Sequence, residues 1–135
     1  MIEVNNKSRS KIDLNLIKKI AKKFLEVYKY NDYDLSIAFV GDKRMRQLNR
    51  EYRGVDRTTD VLAFPGDEEG KFFGELILNY SQIKRQAKKF NNTPKEELIF
   101  ILVHGLFHLL GYDDKTNKQK KQMEELGHKF IKKHL

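Results

Sequence analysis

The sequence predicts an α+β fold, a single domain over residues 1–135 in which about five helices pack against a small mixed sheet of about four strands. Two observations predict it. Apolar periodicity changes along the chain in the order β-α-β-α-β-β-α-α-α, and Leu98–Leu110 is an almost wholly apolar run that the other elements must enclose. With 39% hydrophobic residues among 135, the chain can bury a core without disulfide bonds.

The first four elements alternate between strand and helix. Short apolar runs at 2–5 and Leu35–Val40 are typical of strands. Two longer segments carry apolar residues at helical spacing, and Asp13 and Asp42 are their predicted N-caps. The predicted inward residues are Leu16, Ile17, Ile20, Phe24, Val27 and Tyr28 in the first helix and Met45, Leu48 and Tyr52 in the second.

A polar loop, Arg53–Asp60, leads into a predicted β-hairpin. A short helix follows it, beginning at Asn79 or Ser81. The hairpin strands are Val61–Phe64, which Pro65-Gly66 is expected to end, and Phe72–Leu78, with a β-bulge expected at Gly74-Glu75. The inward residues of the short helix are Ile83, Ala87 and Phe90.

The central helix has the clearest start and stop signals in the chain. Thr93 is a suitable N-cap, Pro94 suits the first helical position, and Glu96 completes a capping box. Gly111 is a natural helix stop. A last helix follows, with lysines outside and an inward set of Met123, Leu126, Phe130 and Ile131.

The net charge is +8, from 27 Lys+Arg against 19 Asp+Glu. Such a surface favours polyanions, above all nucleic acid, although a lysine-rich solvated surface is the simpler alternative. The N-terminal residues contain no apolar run typical of a signal peptide, and the run at 98–110 is too short to span a bilayer. We therefore expect a cytoplasmic protein with no membrane partner.

His104, His108 and Asp114 are the candidate metal ligands, and they would make the central helix metal-bearing. The histidines stand at i and i+4 on one helix face, and the turn after Gly111 brings a carboxylate back. The chain has no cysteine, so only His, Asp or Glu can hold a metal, and this ligand set suits one Zn²⁺ ion. Three protein ligands leave a fourth position to water, as in catalytic zinc sites.

Other assignments of the same residues stay open. Both central histidines could be core residues that hydrogen-bond to backbone carbonyls, and Asp113 could replace Asp114 as the third ligand. His128 and His134 lie on the basic last helix and are expected to be solvated. The spacing also matches metzincin proteases superficially, but their general-base glutamate is Gly105 here, which disfavours peptide hydrolysis.

Three blocks of the chain resemble the YbeY family, zinc-dependent endoribonucleases of rRNA maturation. HGLFHLLGYDD at 104–114 is very close to the family's HGxLHLxGYDH, and LNREYRGVDRTTDVLAFP at 48–65 resembles its NxxYRGxDxxTDVLSFP segment. GELILN at 74–79 is similar to its GDIxIS strand. The blocks keep the family's order and spacing, and the resemblance extends over nearly the whole chain.

The resemblance implies cleavage of single-stranded RNA, especially in 16S rRNA maturation and ribosome quality control, with the ribosome or ribosomal proteins as partners and no DNA substrate. Arg53 matches the family's functional arginine, which could contact a phosphate and stabilise charge in the transition state. Its simpler role is that of a surface arginine at a helix C-terminus.

Three positions depart from the family pattern. Asp114 stands where the family has its third histidine ligand, Ala63 replaces the serine of VLSFP, and Glu75 replaces the aspartate of the GD strand. A carboxylate is a competent zinc ligand, so the site is expected to persist with altered affinity.

Two other functions are compatible with these residues. One is a non-catalytic ribosome-associated RNA-binding factor with a structural zinc, which would show a fourth protein ligand. The other is a metal-dependent hydrolase of another substrate, which would show a closed apolar pocket. The endoribonuclease interpretation predicts an open coordination position lined by Arg53, and it shares with the RNA-binding factor the prediction of a basic groove.

Overall fold

Four strands and five helices follow one another in the predicted order. The computed structural model describes residues 1–135, and they form one α+β domain with a four-stranded mixed sheet, as predicted. The strands are β1 (Ile2–Asn6), β2 (Asp34–Phe39), β3 (Val61–Asp67) and β4 (Phe72–Leu78). The helices are α1 (Leu14–Val27), α2 (Asp42–Arg53), α3 (Tyr80–Lys89), α4 (Pro94–Leu109) and α5 (Asn117–His134).

The strands lie in the order β1-β2-β4-β3. The β1–β2 and β2–β4 pairs are parallel, and the hairpin pair β3–β4 is antiparallel. On β2 the register jumps from Asp34 opposite Phe72 to Leu35 opposite Gly74, so Phe73 is the extra residue of a bulge. The bulge predicted at Gly74-Glu75 therefore begins one residue earlier, next to Gly74 with its φ of 146°.

Each face of the sheet is covered by helices. The main core lies between one face and α1, α3, α4 and α5, and a smaller cluster joins α2 to the other face. Alternation along β4 illustrates this division, because Leu76 and Leu78 belong to the main core and Ile77 to the smaller cluster.

Helix α4 is the centre of the fold, in contact with β3, β4, α1, α3 and α5. Thr93 caps it in the predicted capping box with Glu96. A Cβ on Gly105 would lie only 3.1 Å from Leu76 Cδ2 and 3.2 Å from Val61 Cγ2, so the missing side chain lets α4 approach the sheet closely. No helix of the structure combines the length and apolar character needed to cross a membrane.

Two boundary predictions were wrong. The first hairpin strand continues through Pro65 to Asp67, because β3 is an edge strand, where a residue without an N–H is tolerated. The N-cap of α2 is Gly41, and Asp42 is the first helical residue. The Asp42 carboxylate instead accepts hydrogen bonds from Asn79, the N-cap of α3, and from Arg85 within α3.

Two predicted inward residues are exposed. Tyr52 in the last turn of α2 is 61% exposed, and Phe90, the C-cap of α3, is 60% exposed. Both residues stand at the end of a helix. The helical spacing that places earlier residues in the core continues to these positions, but the helix ends extend beyond the surface that packs against them. Asp13 and Asn79 do cap α1 and α3 as predicted.

Candidate metal centre

Helix α4 presents His104 and His108 to one side of the molecule, one turn apart. Their Nε2 atoms are 3.2 Å apart, and their side chains are 17% and 24% exposed. Neighbours on the same helix are buried, so the two imidazoles stand at the edge of the core with their Nε2 atoms towards each other. The apolar helix thus holds two partly buried nitrogen donors close together.

The turn after α4 returns a carboxylate to these histidines. Gly111, at a φ of 110°, allows the sharp change of direction. Asp114 Oδ2 then lies 3.2 Å from His104 Nε2 and 3.4 Å from His108 Nε2. Zinc bond lengths of about 2.0–2.1 Å in a tetrahedral site imply ligand–ligand separations of about 3.3–3.4 Å. The three donor atoms have the spacing that a tetrahedral metal ion requires.

Asp113 is not brought to the cluster. Its Oδ1 accepts a hydrogen bond from the Asp114 backbone N–H, and its Oδ2 lies 3.6 Å from Lys115 Nζ. Among the His, Asp and Glu residues, only His104, His108 and Asp114 form a group that could hold a metal.

The protonation of the histidines suits metal binding. His108 Nδ1 lies 3.1 Å from the Tyr112 carbonyl oxygen, which only accepts, so Nδ1 carries the proton and Nε2 has a free lone pair. Burial lowers the pKa of His104, and nearby His108 lowers it further, against the opposing effects of Asp114 and Asp60. The lowered pKa of His104 favours its neutral form, the form in which imidazole binds metals.

The alternative of two core histidines satisfied by backbone carbonyls accounts for one nitrogen of four. His104 Nδ1 is buried without a hydrogen-bond partner, and the two Nε2 atoms meet each other and a carboxylate. A proton on His104 Nε2 could serve only one of the two atoms that face it, whereas a cation at the centre would satisfy all three. The donor set fits a divalent metal ion.

The cluster opens into a cleft of about 980 Å³. Helix α4, the turn after it, the end of α2, the 54–60 loop and β3 all contribute lining residues. The helical start of α5 adds to the rim. The residues that line the cleft include the three candidate ligands and Tyr52, Arg53, Arg57, Phe64, Phe100 and Lys120.

Arg53 and Arg57 both line this cleft, and neither side chain makes an ion pair or hydrogen bond within the chain. Two other arginines are held by carboxylates: Arg46 binds Asp56 through two hydrogen bonds, and Arg85 binds Asp42. The loop is held by other contacts, so the two guanidinium groups in the cleft are available to an anionic ligand.

The cleft is less basic than predicted. Four basic side chains line it, from Arg53, Arg57, Lys115 and Lys120, against four acidic ones, from Asp60, Asp113, Asp114 and Glu124. Asp114 belongs to the ligand cluster and Asp113 faces Lys115. A divalent cation in the cluster would therefore give the cleft a positive balance.

The remaining predicted positions divide between the cleft and its surroundings. Ala63 lines the cleft, whereas Glu75 does not. His128 is exposed, as predicted, and stacks on Phe100 with ring centroids 4.9 Å apart; the half-buried His134 lies against Phe130 at 5.0 Å. Neither joins the ligand cluster.

Several cleft residues were not predicted. Lys120 and Glu124 reach the cleft from α5, Phe100 from α4 and Tyr52 from α2. Their positions depend on how helices distant in sequence pack together, and no local pattern marks them. For Tyr52 the signal was its place directly before Arg53.

Comparisons with known proteins agree on one family. The family model described as Endoribonuclease YbeY matches residues 2–134. A Sulfurihydrogenibium protein named Endoribonuclease YbeY is 38% identical over 123 residues, which cover 87% of this chain and 81% of the relative. A Clostridioides difficile protein of the same name is 35% identical, with 90% and 87% covered.

A solved structure agrees with the sequence relatives. The solution structure of a Thermotoga maritima protein superposes with a TM-score of 0.68 at 32% sequence identity, covering 98% of this chain and 87% of the other. The fold, the order of the motifs and the similarity to relatives over most of their length all indicate the same family. The chain belongs to the Endoribonuclease YbeY family.

Proposed function

We propose that this protein is a metal-dependent endoribonuclease that holds one zinc ion and cleaves single-stranded RNA. One observation carries the proposal: a three-donor cluster lines the same cleft as Arg53, whose guanidinium is unpaired. A metal ion and a free cationic side chain in one cleft can together stabilise the charge that develops when an anionic phosphodiester is hydrolysed.

His104, His108 and Asp114 are the proposed ligands. Zinc held by them would polarise a phosphoryl oxygen and activate water at neutral pH. The protein's own contribution is to fix the donors: α4 sets the two imidazoles, the Tyr112 carbonyl fixes the tautomer of His108, and Gly111 turns Asp114 back.

Arg53 is the proposed catalytic residue. Its guanidinium can hold a phosphate through two parallel hydrogen bonds and stabilise the negative charge that grows during cleavage. It stands at the end of α2, whose next residue, Gly54, adopts a left-handed C-cap with φ 70°. The Gly54 N–H donates to the Arg50 carbonyl. The helix end is thus closed by backbone contacts, and the Arg53 side chain remains available to a ligand.

The proposed cellular role is 16S rRNA maturation and ribosome quality control in the cytoplasm, with the ribosome or ribosomal proteins as partners and without DNA as a substrate. Two features support it: the resemblance of the three motif blocks, and a net charge of +8 that favours a polyanionic partner.

Two alternatives receive less support from the site. A structural zinc would be held by a fourth protein ligand, and the candidate cluster contains three. A hydrolase of small apolar substrates would have a mostly apolar pocket, and 7 of the 18 residues lining the cleft are hydrophobic. Metzincin proteases have a glutamate where this chain has Gly105. The side chains of Leu76 and Val61 occupy the space beside that glycine.

The proposal is tested with purified protein, a labelled single-stranded RNA and the same RNA annealed to its complement. We expect cleavage of the single strand alone, loss of cleavage with a chelator, and recovery when zinc is added back. The His108→Ala variant serves as the metal-site control and should stay inactive after zinc addition. Binding without cleavage by the zinc-loaded protein would instead support the non-catalytic RNA-binding factor.

A further inference from the structure

Tyr52 is the exposed aromatic residue of the cleft. Six large hydrophobic residues are exposed in the protein, and of these only Tyr52 lines the cleft that contains the candidate ligands. Its ring is 61% exposed, and its hydroxyl makes no hydrogen bond within the chain. Neither core packing nor a hydroxyl contact accounts for an aromatic side chain here.

The Tyr52 ring is held in place by Phe64. The two ring centroids are 5.2 Å apart and the planes are inclined by 71°, an edge-to-face contact between the last turn of α2 and strand β3. Such a contact occupies only part of each ring. It fixes the Tyr52 side chain against a rigid strand and leaves most of its surface free, as the exposure shows.

The surroundings of this aromatic pair carry charge suited to an RNA strand. Arg53, directly next in sequence, lines the same cleft with an unpaired guanidinium, and Arg57 does so from the adjacent loop. Free cations beside an open aromatic ring are the usual composition of single-strand binding sites, in which the cations follow the phosphates and the ring stacks on a base.

We infer that Tyr52, supported by Phe64, is a nucleobase-stacking subsite that receives an unpaired base of the RNA next to the phosphate held at Arg53. The inference rests on the proposed function and adds a specificity residue to it. A base inside a duplex is already stacked on both sides and cannot lie on a side chain. The subsite would therefore favour single strands, a preference that phosphate contacts alone do not provide.

The test measures binding apart from cleavage. Fluorescence anisotropy of the chelator-treated protein would give dissociation constants for three labelled ligands: a single-stranded RNA, its duplex, and an abasic strand with the same phosphates. The variants are Tyr52→Ala, Tyr52→Phe and, as a matched control, Phe90→Ala, which removes an aromatic residue of equal exposure outside the cleft.

We expect Tyr52→Ala to weaken single-strand binding about 5- to 150-fold, the range for loss of one stacked base. Tyr52→Phe keeps the ring and should bind like the wild type, as should Phe90→Ala. Tyr52→Ala should leave affinity for the duplex and the abasic strand unchanged.

Two results would overturn the subsite. One is unchanged single-strand affinity in Tyr52→Ala; the other is an equal loss on the abasic strand, which would make Tyr52 a backbone contact. In both cases RNA cleavage by the wild type would still uphold the proposed function. A wild type that neither binds nor cleaves RNA would overturn both.

Discussion

Replacing Asp114 with alanine should remove most of the stabilisation that the proposed zinc ion would give this protein. A ligand that binds only the folded state at 100 times its dissociation constant adds about 2.7 kcal/mol to the free energy of unfolding. With an unfolding entropy of about 2.1 cal/mol/K per residue, the 135 residues contribute about 0.28 kcal/mol/K, so saturating zinc should raise Tm by about 10 °C.

The loss follows from the contacts of Asp114. Its Oδ2 is one of three donors that meet within 3.4 Å of one another, and no other carboxylate joins the cluster. Even residues that only orient metal ligands change affinity 10- to 100-fold, so loss of a direct ligand should weaken zinc binding by at least about 100-fold. At the same zinc concentration, zinc then adds only about 0.4 kcal/mol to the free energy of unfolding. This corresponds to a rise in Tm of about 1.4 °C.

The assay is thermal unfolding with zinc and with chelator, on the wild type, Asp114→Ala and Asp113→Ala. Asp113 is the matched control, since it is the adjacent residue, has the same carboxylate and faces Lys115. The Asp113→Ala variant should keep the full zinc-dependent shift in Tm. A full shift in Asp114→Ala would contradict the role of Asp114 as a ligand. Loss of the shift in Asp113→Ala would make Asp113 the third ligand.

Three further predictions concern the cleft and its support. Arg53→Ala should lower the RNA cleavage rate about 100- to 1,000-fold while zinc content and Tm stay unchanged; cleavage at the wild-type rate would remove Arg53 from the mechanism. Gly105→Val should cost about 1–3 kcal/mol in denaturant unfolding, because a Cβ there already meets side-chain carbons at 3.1–3.2 Å, whereas Gly70→Val, with nothing closer than 3.9 Å, should cost far less. Asp42→Ala should cost about 1–3 kcal/mol, because the buried Asn79 amide loses an acceptor at 2.7 Å. Hydrogen bonding from Arg85 lowers the pKa of Asp42 in the folded state, so its stabilisation is present above the unfolded pKa and is lost as the pH falls through the folded value. The unfolding curves of the two proteins should begin to converge below about pH 4 and meet only below the folded pKa.

The parts of the fold that depend on local signals could be predicted from the sequence. Helix α4 begins at a capping box and ends near a glycine, and its apolar run allows only an enclosed position, so its span and burial follow from neighbouring residues. The i, i+4 spacing then places His104 and His108 together on any regular helix. The candidate metal cluster could thus largely be predicted from the sequence.

The parts that depend on tertiary context could not be predicted in the same way. Whether Pro65 ends a strand depends on whether that strand has one neighbour or two, and β3 is at the edge. Tyr52 continues the apolar spacing of α2, yet it lies past the surface that the sheet covers. The mixed charge of the cleft arises in part because α5 brings Glu124 and Lys120 to it, a placement fixed by the packing of α5 against α4.

Anomalous diffraction at the zinc absorption edge, from crystals of zinc-loaded protein, tests the central claim most directly. One peak per chain is expected, about 2.0–2.2 Å from His104 Nε2, His108 Nε2 and Asp114 Oδ2, with its remaining side open to the cleft. The claim would be contradicted by a peak at Asp113, His128 or His134 with this cluster empty, or by a fourth protein ligand closing the site.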